Sequence, residues 1–239
     1  MSLPVLGASA SPLHLSRWSS SDPADRFAVE SPATGEVITV VQGGGAAEVD
    51  QAVRAAQAAY EGDWRWRPAR ERGRLLLDCA ALLRRHADEL AALETLENGK
   101  PISQSRPFDI ETLIAGFEFF GALADKVPGD FSDMGPVHTI ARLEPFGVVA
   151  GVIPFNWPPI HMGAKTAPAL AVGNTVVLKP GEQAPLTILR IVELLQQVLP
   201  PDVLHAVPGH GSVTGQALVS HPLVRKISFT GSTATGAAV

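Results

Sequence analysis

GVVAGVIPFNWPPI, Gly147 to Ile160, is the stretch whose reading decides the fold. A short run of small and β-branched apolar residues ends at Ile153-Pro154. Two aromatic rings, one amide and a pair of prolines follow, ahead of a helical segment from about Pro159 to Ala171. A run of that length and composition, bounded by proline, reads as a buried strand. Proline fixes its own φ and holds the residue before it extended, so the strand stops there and Asn156 is pinned in a loop between Phe155 and Trp157.

Downstream the same alternation repeats. NTVVLKP, a helix from about Pro185 to Val198, VLHAVPG, a helix from about Ser212 to Ser220, then KISFTG and the start of another helix read as successive βαβ units. The fold class is therefore α/β, a Rossmann-like open parallel sheet with helices on both faces, which places ligands at the carboxyl ends of the strands. Upstream, FAVESPATGEVITVV, Phe27 to Val41, reads as a hairpin around Ser31-Pro32-Ala33-Thr34-Gly35. Three helical stretches are expected over Ala46 to Tyr60, Arg70 to Glu97 and Ser103 to Lys126, and a weak strand over Val137 to Leu143. The second helix stops at Asn98-Gly99-Lys100-Pro101, a strong terminator. Phe117, Phe119 and Phe120 are expected in the core. The organisation this gives is an arm at 1–25, a hairpin and helical part at 26–135, a strand at 136–145 and a βαβ part at 146–239.

Four strand ends carry groups suited to a ligand. After the first comes Ile153-Pro154-Phe155-Asn156. After the second come Lys179, Gly181 and Glu182, an ammonium and a carboxylate three residues apart that could together grip ribose hydroxyls. After the third, Gly209, Gly211 and Gly215 are spaced one residue longer than the dinucleotide fingerprint, which a tightly packed Gly-rich turn explains equally well. After the fourth, Phe229, Gly231, Ser232 and Thr235 lead into a helix start, where N–H groups suit a pyrophosphate; an ordinary N-cap is the commoner use of such a serine.

Composition narrows the function classes. The chain of 239 residues is 46% apolar and 18% charged, ordinary for a folded protein. A net charge of -5, with no Lys/Arg run longer than two, gives no footprint for nucleic acid, and no apolar run is long enough to span a bilayer. The start of the chain lacks the pattern of a secretory or transit segment, and the expected location is cytoplasmic. The one cysteine, Cys79, lies on an apolar helical stripe and reads as a packing residue, not a reactive thiol. The seven histidines are dispersed, read as surface or loop residues, and suggest no metal site.

In order and spacing, SPATGEVI, ALETLENGKP, PFGVVAGVIPFNWPP, PALAVGNTVVLKPGEQAPLT, VPGHG and KISFTGST resemble the amino-terminal half of the NAD(P)-dependent aldehyde dehydrogenase superfamily, from about Phe27 to Val239. The resemblance implies oxidation of an aldehyde to a carboxylic acid by a thiohemiacetal and thioester route. In that scheme Asn156 gives its side-chain amide to the substrate carbonyl oxygen, the preorganised donor that developing negative charge needs. It also implies that Lys179 and Glu182 bind the adenosine ribose, while Ile153, Pro154, Phe155, Gly181, Gly211, Gly215, Phe229, Gly231, Ser232 and Thr235 line the cofactor. A carboxylate at Glu182 would repel a 2′-phosphate, so NAD is favoured over NADP. The family order around the asparagine is Trp before and Phe after; here Phe155 and Trp157 are exchanged.

The Pro136 to Glu144 region resembles an arm of the family's oligomerisation hairpin, which implies a homo-oligomer, dimer or tetramer. The family's nucleophilic cysteine and general-base glutamate fall beyond Val239, so the chain is expected to be truncated and inactive alone. Two other readings stay open: a nucleotide-binding module without catalysis, and a subunit-interaction module.

Overall fold

The computed structural model describes residue 22 and residues 25–239; the arm expected at 1–25 lies almost wholly outside them. Strands β1 (Arg26–Glu30) and β2 (Val37–Gln42) form the expected antiparallel hairpin. Helix α1 (Ala46–Glu61) follows, its Gly45 N–H held by the Glu48 carboxylate at 2.8 Å. The helix expected over 70–97 is two helices, α2 (Ala69–Arg85) and α3 (Ala87–Asn98), broken at His86, whose N–H turns back to the carbonyls of Leu82 and Leu83. The third stretch begins as α4 (Ile102–Gln104), widens into a π-helical turn over Ser105–Ile110, and continues as α5 (Glu111–Leu123). Within it Phe117 is fully buried as expected, but Phe119 is 62% exposed and faces solvent instead of the core.

The weak strand is β4 (His138–Ala141). It pairs antiparallel with β3 (Asp130–Asp133), and every residue of both is exposed. The remaining elements alternate: β5 (Val148–Val152), α6 (Pro158–Ala171), β6 (Thr175–Lys179), α7 (Leu186–Leu195), β7 (Leu204–Ala206), a π-helical turn into α8 (Gln216–Val219), β8 (Val224–Phe229) and α9 (Thr233–Ala238).

The sheet is four-stranded and parallel, in the order β7-β6-β5-β8. Helices cover both faces, as parallel strands buried on both sides require. On one face α2, α3, α5, α6 and α7 build the larger core around Leu83, Phe117, Met162, Leu178 and Ile191. On the other, Val49, Val53 and Ala56 of α1 and Leu218 of α8 pack on Val148, Ala150 and Val177. His205, expected at the surface, is instead a buried residue of β7 beside Asp202.

Candidate active site

The chain leaves β5 toward β6 on one side and returns as β8 on the other, so the strand order reverses next to β5. A crevice opens at such a reversal, at the carboxyl edge of the sheet. The register sets Val152 beside Lys179 on β6 and beside Phe229 on β8. Beyond that row Ile153 N–H donates to Lys179 O at 3.0 Å, and Thr230 N–H to Val152 O at 3.2 Å. Three strand ends that are far apart in sequence thus form one edge.

Lys179 is 3% exposed, and its Nζ meets Glu182 Oε2 at 2.9 Å. The other oxygen, Oε1, accepts from Gly211 N–H at 2.5 Å, which joins the second strand end to the third. Burial pushes the Lys179 ammonium below its ordinary pKa, against the opposing pull of Glu182. Burial acts to raise Glu182, but Lys179 and the hydrogen bonds outweigh it and hold the carboxylate below its usual range. The pair sets a carboxylate acceptor beside an amino donor. Gly181 packs against the Phe155 backbone, so the first and second strand ends touch as well.

At the fourth end the Phe229 ring lies against Gly231 and Gly236. Ser232 is the N-cap of α9: its Oγ accepts from Thr235 N–H at 3.1 Å and meets Thr235 Oγ1 at 2.9 Å. Gly215 is buried within the π-helical turn, and Gly211 at its start is exposed.

Asn156 is exposed and lines a cleft of about 740 Å³, the size of a small-molecule site. Phe155, Glu182 and His210 line it, with Glu97 and Asn98 of α3 and Pro32 of the β1–β2 turn. The rings beside Asn156 do not clamp it, since Phe155 and Trp157 are themselves exposed. Sequence reasoning passed over Lys165. This α6 lysine is buried against the sheet and donates from Nζ to Thr230 Oγ1 at 2.6 Å, and burial lowers its pKa. The available signal was a lysine one turn beyond His161, on the helix face that carries Met162 and Thr166. Cys79 is fully buried, and burial pushes its thiol up to about 12.

A parallel α/β layer with donors and acceptors gathered at the switch point of its carboxyl edge defines a Rossmann-like ligand-binding domain. The chain belongs to the aldehyde dehydrogenase family, whose family model matches residues 18–239. Aldehyde dehydrogenase citD of Monascus ruber is 53% identical over 220 residues, 92% of this chain and 44% of that protein. Among solved structures, PnpE from Pseudomonas sp. WBC-3, also determined with nicotinamide adenine dinucleotide, superposes with a TM-score of 0.86 for the complex. It is 45% identical over 89% of this chain and 44% of its own. The NAD+ complex of an aldehyde dehydrogenase from Bacillus cereus gives a TM-score of 0.87 at 37% identity, over 89% of this chain and 44% of that one. The chain spans less than half the length of these relatives.

Proposed function

We propose that this chain is the cofactor-binding half of an NAD-dependent aldehyde dehydrogenase. The observation that carries the reading is the Lys179–Glu182–Gly211 constellation, whose Lys179 is the register partner of Val152, itself paired with Phe229 on the other side. The residues fit NAD. A carboxylate and an ammonium side by side can accept from and donate to the two ribose hydroxyls, and the carboxylate disfavours a 2′-phosphate. Ile153, Pro154, Phe155 and Gly181 would line the nucleotide from one side. Gly211, Gly215, Phe229, Gly231, Ser232 and Thr235 belong to the reading through the family resemblance. NAD, when bound, supplies the hydride acceptor.

Asn156 would donate its side-chain amide to the carbonyl oxygen of an aldehyde as that oxygen gains negative charge. Its amide makes no hydrogen bond to another described residue and is open to the cleft. Cys79 does not serve as nucleophile, being buried and held as a thiol. The reading therefore includes no aldehyde oxidation by these 239 residues alone. A second copy of the chain would cover the exposed β3–β4 hairpin. A cytoplasmic location fits a chain whose one cysteine is a free thiol, and one relative is named a cytosolic aldehyde dehydrogenase.

Titration calorimetry of the 239-residue chain with NAD and NADP tests this. The expected result is saturable binding that is tighter for NAD and weakened by Lys179→Ala, with no aldehyde-dependent NADH formation. A folded chain that binds neither nucleotide would overturn it. Nucleotide binding without turnover by the protein at its native length would favour the non-catalytic module.

A further inference from the structure

The last turn of α3, Glu97-Asn98-Gly99-Lys100, is fastened on several sides. Glu97, fully inside the protein, accepts from the N–H groups of Leu186 and Thr187 at 2.6 Å each, joining the turn to the start of α7. Gly99 takes a left-handed φ of 79° and lies so close to Pro32 that a Cβ would stand 2.7 Å from its Cγ. Lys100 pairs with buried Asp109 at 2.5 Å and buried Glu94 at 3.3 Å. Its ammonium also lies 5.9 Å from the centroid of the Trp157 ring, which Phe108 meets edge-on from another direction.

Asn98, in the middle of this turn, donates from Nδ2 to Phe155 O at 2.5 Å. That carbonyl belongs to the peptide joining Phe155 to Asn156. Gly181 packs against the same residue's backbone, where a Cβ would stand 3.1 Å from Phe155 N. Pro154 and Pro158 restrict the loop at its two ends but leave the dihedrals of Asn156 itself unset. The β5 ladder ends with Ile153 N–H, and α6 begins with the carbonyl of Trp157 accepting from His161 N–H. Between them the Asn98 amide ties the backbone down.

We propose that Asn98 is a positioning residue. Through the Phe155 carbonyl it fixes the direction of the Asn156 amide, with the anchored α3 turn as its base. The inference rests on the reading of Asn156 as the donor to the substrate carbonyl, and extends it by naming what preorganises that donor. Such a donor helps only when its place is set before the charge develops, and a displacement near 1 Å costs roughly 100-fold in rate.

The test compares Asn98→Ala with Asn98→Asp, which keeps the shape and removes the donor. In the 239-residue chain, NMR order parameters of Phe155, Asn156 and Trp157, and of the Asn156 side-chain amide, are measured against those of β5 and β8. Both variants are expected to drop the loop from the rigid level of about 0.85 to about 0.6 or below while the strands hold theirs. Unchanged loop values, or an Asp variant as rigid as the original, overturn the proposal.

In the protein at its native length, Asn98→Ala is expected to lower kcat roughly 10- to 100-fold with the KM for NAD unchanged, and to add nothing to Asn156→Ala. Losses that multiply in the double variant would also overturn it. If Asn156→Ala alone leaves kcat untouched, the role given to Asn156 fails, and the order parameters still decide whether Asn98 holds the loop.

Discussion

The carboxylate of Glu182 stands between Lys179 Nζ and the Gly211 N–H, so its charge and its acceptor geometry can be separated by substitution. Glu182→Gln keeps an oxygen for Gly211 and loses the charge. Hydrogen bonds to charged groups contribute about 1.5–3 kcal/mol, so NAD affinity is expected to fall about tenfold or more. NADP is expected to lose less, because the repulsion of its 2′-phosphate goes as well. Calorimetry with both nucleotides measures the ratio; a ratio unmoved by the substitution would remove Glu182 from nucleotide discrimination. Cys79 is expected to resist iodoacetamide at neutral pH in the folded chain and to react once urea unfolds it, which mass spectrometry reads directly. Most of the candidate site is legible at this scale because strand ends and turns have local signatures: a β-branched run, then Pro or Gly, then a polar group. Lys165 lies on a helix face, not at a strand end; its helical position is readable, but its contact with Thr230 is made only in the folded sheet.

The junction of α3, α7 and the π-helical turn buries three carboxyl groups, Glu94, Glu97 and Asp109, against one ammonium, Lys100, with Thr187 beside them. Burial is the leading cause that raises Glu94 to about 7 and Glu97 to about 8, from an ordinary value of 4.5. Between about 4.5 and about 8 the folded state therefore holds more protons than the unfolded one. Stability from these groups is present at the acid end of that window and is lost as pH rises through it. Unfolding stability is expected to fall between pH 5.5 and pH 8.5 by on the order of a few kcal/mol, read as a drop in the midpoint of urea unfolding. Glu94→Gln is expected to flatten that slope; a wild-type midpoint that rises across the window would refute the assignment. Sequence pattern gives the helices here but not the break at His86, because leucines continue on either side of it and no Gly or Pro marks it. Nor does it give β3: Asp-Phe-Ser-Asp has no buried face, and only its pairing with β4 makes it a strand.

At the scale of the whole molecule, the alternation of strands and helices is readable from the chain, whereas the order β7-β6-β5-β8 is a property of long-range pairing. The same limit explains Phe119. Its spacing says only that it belongs to a helix, and the side it faces is decided by what α5 packs against. Phe119 is not alone in solvent: Phe131 is 65% and Ile140 81% exposed, and Leu143 and Phe146 are exposed close by. A two-stranded hairpin is marginal in water without something packed on it, and β3–β4 has no buried residue of its own. The oligomer proposed above supplies that cover if the hairpin of one copy seats on another copy. Sedimentation analysis of the chain at micromolar concentration is then expected to show a dimer or larger species. Ile140→Lys places a charge on the most exposed apolar residue of the hairpin and is expected to shift the protein to monomer. NAD binding should be retained, because Lys179 ends a strand of a different sheet from the hairpin and Glu182 lies in the turn that follows it. A wild-type chain that stays monomeric at every concentration, or a variant of unchanged mass, would refute the seating of the hairpin on a second copy.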